Sequence, residues 1–174
     1  PNLPEVPKVD DKRMRLARLM LGESIRNGYD HVAQAEISMI QASRGELPAT
    51  DPAWAFLRHA FGGATKAQLA KYLSSQVRAF ANVPEWMVYL ANKDFVLGTR
   101  LHGVIAALLA GTPAMLVTHD SRTEEMAKFA AIPSVSGHEL LETGKIDPEA
   151  LLARADFAAF NKRQKDYFRD FRSY

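Results

Sequence analysis

With 174 residues, 47% of them hydrophobic and 24% charged, the chain is long enough for one well-buried globular domain. The 22 basic residues are balanced by 20 acidic ones, and this net charge of +2 gives no reason to expect a nucleic-acid partner. The lack of cysteine excludes disulfides, thiol nucleophiles and cysteine-ligated metal centres, and it fits a reducing compartment, so we expect a cytoplasmic protein.

The apolar runs and the first residues predict neither a transmembrane segment nor a signal peptide. The longest apolar stretch, Val104 to Val117, is interrupted by Gly111-Thr112-Pro113 and is shorter than the roughly 20 residues that a membrane-spanning helix needs. Residues 1–9 have neither the basic start nor the apolar centre of a signal peptide. We interpret them as a linker or truncation seam that precedes a single α/β domain over residues 10–174.

The first part of the chain is predicted to be mostly helical. Apolar spacing predicts an amphipathic helix over Lys12 to Asn27. Alternating polar residues over Val32 to Ile40 favour a strand, with a helix left open. Further helices are expected after Asp51-Pro52 and after Thr65, which forms a capping-box pattern with Gln68.

From Val77 onward, short strands and helices alternate. Strands are predicted over Val77 to Phe80, Phe95 to Leu97, Ala114 to Thr118 and Ile132 to Val135. Helices are predicted after Asn82, over Val104 to Ala110, after Ser121 with Glu124 as its capping partner, after Asp147-Pro148 and along the tail from Asp156. This alternation is typical of a doubly wound, Rossmann-like parallel sheet flanked by helices, in which ligands bind at the carboxyl ends of strands.

The junction after the strand Phe95 to Leu97 is the strongest candidate for a binding site. Val104 to Ala110 carries no polar side chain, so this helix is predicted to be buried and only its start to meet a ligand. A helix start offers unpaired N–H groups and the positive end of the helix dipole, which suit phosphate or carboxylate. The candidate substrate-binding residues here are Gly98, Thr99, Arg100, Leu101 and Gly103.

The candidate catalytic residues are His102 and Arg100. A guanidinium binds phosphate or carboxylate through two parallel hydrogen bonds, and an imidazole, which titrates near neutrality, transfers a proton. The structural alternatives are an arginine that pairs with an acidic residue and a histidine that caps local backbone. The sequence pattern leaves both interpretations open.

A second candidate loop follows the next strand and contains His119, Asp120 and Arg122. Its carboxylate would orient a hydroxyl and its arginine would pair a second anionic group, with helix capping as the slightly favoured alternative. If the two strands are neighbours, both loops line one crevice.

The remaining histidines and the tail are given structural interpretations. His31, His59 and His138 lie in segments without a catalytic pattern and are interpreted as surface or packing residues. Basic residues alternate with aromatic ones along the tail, which favours an amphipathic terminal helix that docks on its own domain over a nucleic-acid face.

Three segments in order resemble the polysaccharide pyruvyl transferase family. They are Asp94-Phe95-Val96-Leu97-Gly98-Thr99-Arg100-Leu101-His102-Gly103, Ala106-Ala107-Leu108-Leu109-Ala110-Gly111-Thr112-Pro113 and His119-Asp120-Ser121-Arg122. The resemblance is strongest from Val77 to Pro133. Members of this family resemble two-domain GT-B glycosyltransferases with the active site between the halves. The resemblance implies that this chain is the GT-B-type carboxyl-terminal half and that an N-terminal domain of the same protein is its partner.

The resemblance also implies an activity. The enolpyruvyl unit of phosphoenolpyruvate would pass to two hydroxyls of a saccharide acceptor, releasing phosphate and leaving a pyruvate ketal on a cell-surface polysaccharide or exopolysaccharide precursor. Arg100 and the helix start would hold phosphate or carboxylate, and His102 would act as general acid or base. No metal or redox cofactor is required. Attachment to the membrane where lipid-linked sugars are assembled remains open, and Arg122 departs from the lysine often found there.

Two other functions stay open at this point. The same helix start suits the diphosphate of a nucleotide sugar, which would make the chain the donor-binding domain of a GT-B glycosyltransferase. A non-catalytic binding domain of the same fold is the alternative outside enzymes.

Overall fold

The computed structural model describes residues 11–173, so the predicted linker over residues 1–9 lies outside the described residues. The chain forms two compact units, and each is described by itself. The first unit extends to Ala81 and includes Gly144–Ile146, and the second contains Asn82–Thr143 and the chain from Asp147 onward. The single domain expected over residues 10–174 stays a prediction.

The first unit is mainly helical with a small parallel sheet. Its elements are α1 (Asp11–Asn27), β1 (His31–Val32), α2 (Ile37–Ser43), α3 (Ala53–Ala60), α4 (Lys66–Gln76) and β2 (Val77–Arg78). The strands β1 and β2 pair in parallel, with His31 opposite Val77. Phe61, Leu69 and Leu73 form the centre of its core. The Tyr72 hydroxyl donates a hydrogen bond of 2.7 Å to the carbonyl oxygen of Tyr29.

The helices of this unit follow the local signals in the sequence. Helix α1 begins one residue before the predicted Lys12 and ends at Asn27 as expected. The capping box of Thr65 and Gln68 is present at the start of α4. The Asp51 carboxylate accepts a hydrogen bond of 2.8 Å from the N–H of Ala53, where α3 begins. These predictions are confirmed.

The strand predicted over Val32 to Ile40 is wrong for most of its length. The Glu36 carboxylate accepts hydrogen bonds from the N–H groups of Gln34 and Ala35 at 2.9 and 3.0 Å, which bends the chain after β1. Helix α2 then follows, with Met39 and Ala42 buried at helical spacing. The strand pattern failed because short local hydrogen bonds replaced the sheet ladder.

The second unit is an α/β arrangement around a parallel sheet. Its elements are α5 (Val83–Leu90), β3 (Val96–Gly98), α6 (Leu101–Leu109), β4 (Ala114–Thr118), α7 (Ser121–Ala130), β5 (Ser134–Ser136), α8 (Gly137–Thr143), α9 (Pro148–Arg154) and α10 (Phe157–Arg172). The sheet has the order β3-β4-β5 and all of its pairs are parallel. The central strand β4 is buried along its whole length. Small parallel sheets flanked by helices confirm the α/β class.

Helix α6 buries one face against the sheet and leaves part of the opposite face in solvent. Val104 and Ala107, three residues apart, are fully buried, whereas 57% of Leu109 is exposed. The prediction of a wholly buried helix is therefore wrong at its last turn. Helix α5 packs against α6, and its cap is as predicted because the Asn82 side chain accepts from the N–H of Glu85 at 2.9 Å.

The end of the chain docks partly on its own unit, as the sequence predicts. Phe160 of α10 is buried. The Arg163 guanidinium donates a hydrogen bond of 3.0 Å from Nε to the carbonyl oxygen of Phe129 in α7, and the rings of Phe129 and Tyr167 lie 5.4 Å apart. Helix α8 has no counterpart among the predicted elements.

Candidate functional site

The two candidate loops leave the same edge of the parallel sheet. Strands β3 and β4 are hydrogen-bonded neighbours, with Gly98 opposite Leu116. Thr99 and Arg100 connect β3 to α6, and His119 and Asp120 connect β4 to α7. Because parallel neighbours end at a common edge, these connections emerge together, as the expectation of a shared site required. We call this place the loop edge.

The start of α6 presents backbone amides at the loop edge. Arg100 is the N-cap residue with extended backbone, φ −101° and ψ 118°, and it forms no side-chain cap hydrogen bond in the described part of the chain. Its carbonyl oxygen accepts from the N–H of Val104 at 3.3 Å. The N–H groups of Leu101, His102 and Gly103 precede the first residue that can donate within an α-helix. These amides are therefore suited to an anionic ligand.

Arg100 and His102 are both exposed at this helix start. Arg100 is the N-cap just before the first helical residue, and His102 lies in the first turn of α6. A ligand bound at the helix end, where the backbone N–H groups lie, would therefore be next to both residues.

Gly98 and Thr99 form the approach to this helix start. A Cβ at Gly98 would lie 3.5 Å from Cγ2 of Val104, which is an ordinary van der Waals contact. Packing among the described residues therefore does not require glycine at this position. Thr99 is partly buried, as is Leu101, whereas Gly103 in the first turn of α6 is buried.

Asp120 caps α7, the helix that follows the second candidate loop. Its Oδ1 accepts from the N–H of Thr123 at 2.8 Å, and the Asp120 N–H donates to the Thr123 hydroxyl oxygen at 3.3 Å. Asp120 is therefore the N-cap of α7, and the predicted capping box of Ser121 and Glu124 is wrong by one residue. The extended backbone of Asp120 brings its short carboxylate onto the helix start and makes Ser121 the first helical residue.

The capping alternative considered for Asp120 is thus confirmed. His119 lies beside it, with Nε2 at 3.6 Å from Oδ2 of Asp120. Arg122 is exposed in the first turn of α7. Substrate binding by His119, Asp120 and Arg122 stays a prediction.

The structure adds His138 to the loop edge. Strand β5 pairs with β4, with Ser136 opposite Thr118, so the residues that follow Ser136 emerge at the same edge. The backbone N–H of His138 donates to the Ser136 hydroxyl at 3.2 Å, and its Nδ1 lies 3.4 Å from Oε2 of Glu142. The His138 side chain is exposed, in agreement with its interpretation as a surface residue, and its place at the loop edge follows from the end of β5 at Ser136. His31 and His59 belong to the first unit.

An ion pair links α8, the helix that carries His138, to α9. Glu139 of α8 accepts two hydrogen bonds from the Arg154 guanidinium of α9, one of them 3.2 Å from Nη2 to Oε2. These hydrogen bonds, supported by the charge of Arg154, hold the pKa of Glu139 below its ordinary value. Glu139 is thus a carboxylate that is already paired beside the loop edge.

No group of three or more histidine, aspartate or glutamate side chains that could hold a metal ion occurs in residues 11–173. Within this range, no helix has the length and apolar character that spanning a bilayer demands.

In α/β proteins with parallel sheets, ligands bind outside the carboxyl ends of the strands, which is where Arg100 and the first amides of α6 lie. The family profile described as Polysaccharide pyruvyl transferase matches residues 27–121, which is more than half of the 174 residues. The chain belongs to the polysaccharide pyruvyl transferase family. No curated protein and no solved structure matches the chain.

The match extends further toward the start of the chain than the resemblance from Val77 to Pro133 suggested. It begins at Asn27, at the end of α1, and ends at Ser121, the first residue of α7. The β3–α6 junction with Arg100 and His102 lies inside it, and Arg122 lies just outside.

Proposed function

We propose that this chain is the donor-binding part of a transferase that moves the enolpyruvyl unit of phosphoenolpyruvate onto a saccharide. The observation that carries the proposal is the family match across the β3–α6 junction, at which the helix start, Arg100 and His102 lie together. Phosphoenolpyruvate carries both a phosphate and a carboxylate. A helix start beside a guanidinium is suited to such a doubly anionic substrate.

The reaction needs one protonation, at the methylene carbon, and two hydroxyl additions, both at the neighbouring carbon. The methylene carbon of phosphoenolpyruvate takes a proton and becomes a methyl group, and a sugar hydroxyl adds to the neighbouring carbon. Phosphate leaves as the bond from this carbon to its oxygen breaks, and a second hydroxyl adds to complete the ketal. Of the two hydroxyl protons, one balances the proton taken by the methyl group and the other leaves with phosphate.

Each loop residue has a role in this scheme. The amides of Leu101, His102 and Gly103 and the Arg100 guanidinium bind the anionic groups and stabilise negative charge on the departing phosphate. The exposed His102 imidazole transfers a proton to the methylene carbon or from a hydroxyl. Gly98 and Thr99 shape the approach. No metal or redox cofactor takes part.

Part of the binding site for the saccharide acceptor and further shielding from water would come from an N-terminal domain of the same protein, in a two-domain arrangement of the GT-B type. The product would be a pyruvate ketal on a precursor of a cell-surface polysaccharide or exopolysaccharide. His119, Asp120 and Arg122 at the second loop would contact the part of the substrate that lies away from Arg100. Their position at the same sheet edge supports this assignment.

The test is an NMR titration of the 15N-labelled chain with phosphoenolpyruvate. The proposal predicts saturable shifts of the amide signals of Leu101, His102 and Gly103, while the amide of Arg78 in β2 stays still and serves as the internal control. Inorganic phosphate and a uridine-diphosphate sugar are titrated in parallel. Stronger shifts with the nucleotide sugar would contradict the proposal, and so would a lack of shifts at α6 with phosphoenolpyruvate.

A further inference from the structure

The last two turns of α10 expose large aromatic side chains. Phe168 is 59% exposed and Phe171 is 80% exposed. Both continue the helix face on which the buried Phe160 lies, since positions 160, 164, 168 and 171 follow helical spacing. The first half of this face docks on the second unit, and the second half is uncovered among the described residues.

The aromatic surface continues onto α7. The ring of Phe129, which is 58% exposed, lies 5.4 Å from the ring of Tyr167. The Arg163 guanidinium lies over both rings, at 5.8 and 5.1 Å from their centres. Phe171 follows Tyr167 by four residues and is on the same side of the helix. We define the aromatic face as Phe129, Tyr167, Phe168 and Phe171.

Basic side chains border the aromatic face. Helix α10 contains five basic and two acidic residues. Both acidic residues are bound by Arg169, which lies 3.2 Å from Asp166 and 3.3 Å from Asp170. Lys165 and Arg172 are exposed and lie three residues before and four residues after Phe168, so they flank its ring. The positive charge next to the aromatic rings is therefore not neutralised by the helix's own carboxylates.

We propose that the aromatic face docks on the surface of an anionic lipid bilayer. A helix with phenylalanines on one side and lysine and arginine beside them lies in the headgroup region, with its rings toward the acyl chains. Its basic residues contact the anionic headgroups, and their long stems let the charges remain in water. The proposal concerns attachment only and does not depend on the proposed donor chemistry.

The charge pattern disfavours a second copy of this chain as the occupant. In a two-fold contact the same face meets itself, so Lys165 and Arg172 of the two copies would be brought together. Like charges across an apolar contact weaken it, whereas an anionic bilayer complements them.

The test is co-sedimentation of the full 174-residue chain with vesicles of phosphatidylcholine alone and of phosphatidylcholine with phosphatidylglycerol. We expect binding to the anionic vesicles that weakens as salt is raised, because screening shortens the reach of exposed charges to about 10 Å at 0.1 M. The double variant Lys165→Gln and Arg172→Gln should lower the partition coefficient roughly 25-fold, about fivefold for each basic residue removed. Phe168→Ser with Phe171→Ser should weaken it by about tenfold or more.

A matched control changes an exposed phenylalanine and an exposed lysine of the first unit, Phe56→Ser with Lys71→Gln, and should bind as the unchanged chain does. Circular dichroism checks that each variant keeps its helices. Equal binding to neutral vesicles, or equal losses in the control and in the α10 variants, would overturn the proposal. The proposal would also be overturned, in favour of self-association, by a chain that does not bind vesicles but forms dimers. In that case the variant with Phe168→Ser and Phe171→Ser would be monomeric.

Discussion

The carboxylate of Asp120 caps the start of α7 by accepting a hydrogen bond from the backbone N–H of Thr123, with 2.8 Å between Oδ1 and the amide nitrogen. This contact places the helix start one residue earlier than the sequence suggested and gives Asp120 a structural role at the loop edge. The neighbouring helix α6 differs, because its N-cap Arg100 forms no side-chain cap in the described residues.

Replacing Asp120 with alanine should lower the free energy of unfolding by about 1 kcal/mol, since the cap hydrogen bond is lost. Asp120→Asn keeps an acceptor oxygen and should cost less. Urea denaturation measures both changes. Ser121→Ala is the control and should leave stability unchanged, because Ser121 is the first helical residue and not the cap. A loss in Ser121→Ala as large as that in Asp120→Ala would contradict this assignment.

Replacing Gly98 with alanine separates folding from binding. The added methyl group lies 3.5 Å from Val104, an ordinary van der Waals contact, so the midpoint temperature of thermal unfolding should be unchanged or slightly raised. If phosphoenolpyruvate approaches the loop edge past Gly98, the same methyl group should weaken its binding by about tenfold or more. Calorimetric titration of a variant with intact unfolding behaviour measures this. Unchanged affinity would show that the ligand does not pass this residue.

Replacing Ala131 with glycine should stabilise the fold. Ala131 ends α7 in the left-handed region, with φ 51° and ψ 35°, where a Cβ costs roughly 1 kcal/mol. We expect Ala131→Gly to raise the free energy of unfolding by about that amount in urea denaturation. Ala91→Gly is the control: Ala91 ends α5 with φ −58°, so glycine there only adds freedom to the unfolded chain and should destabilise. Destabilisation by both substitutions would contradict the prediction.

Glu139 should titrate below its ordinary range because Arg154 donates hydrogen bonds to its ionised form. A lowered carboxyl pKa means that the stabilising effect of the pair is present above the ordinary pKa and is lost as pH falls through the lowered one. Carbon-detected NMR titration of Glu139 measures the pKa. Arg154→Gln should return it toward its ordinary value, and an unchanged pKa in that variant would assign the shift to another cause.

The sequence predicts best those features that depend on residues close together in the chain. The caps at Thr65 and Asn82 need only a side chain and the backbone three residues later, and both were predicted. The strand predicted over Val32 to Ile40 is reduced to β1 because the Glu36 carboxylate binds the N–H groups of Gln34 and Ala35 and the chain bends there. The place of His138 at the loop edge depends on where β5 ends against β4, a distant pairing that no local pattern reports.

The aromatic spacing of α10 was also predicted, but its outcome was only partly foreseen. The aromatic spacing indicates one apolar face on α10, but it does not indicate how much of that face a neighbouring helix covers. Helix α7 covers the face near Tyr167, and Phe171 lies beyond that contact.

Calorimetric titration with phosphoenolpyruvate, comparing the unchanged chain with Arg100→Ala, tests whether the start of α6 binds this substrate. Arg100 is exposed, so its removal should leave the fold intact. We expect saturable binding that Arg100→Ala weakens by about tenfold or more, the order expected for a charged hydrogen-bonding partner. Arg18→Ala, at an exposed arginine of α1, should bind as the unchanged chain does. Equal affinity in both variants, or tighter binding of a uridine-diphosphate sugar, would contradict a phosphoenolpyruvate site at the start of α6.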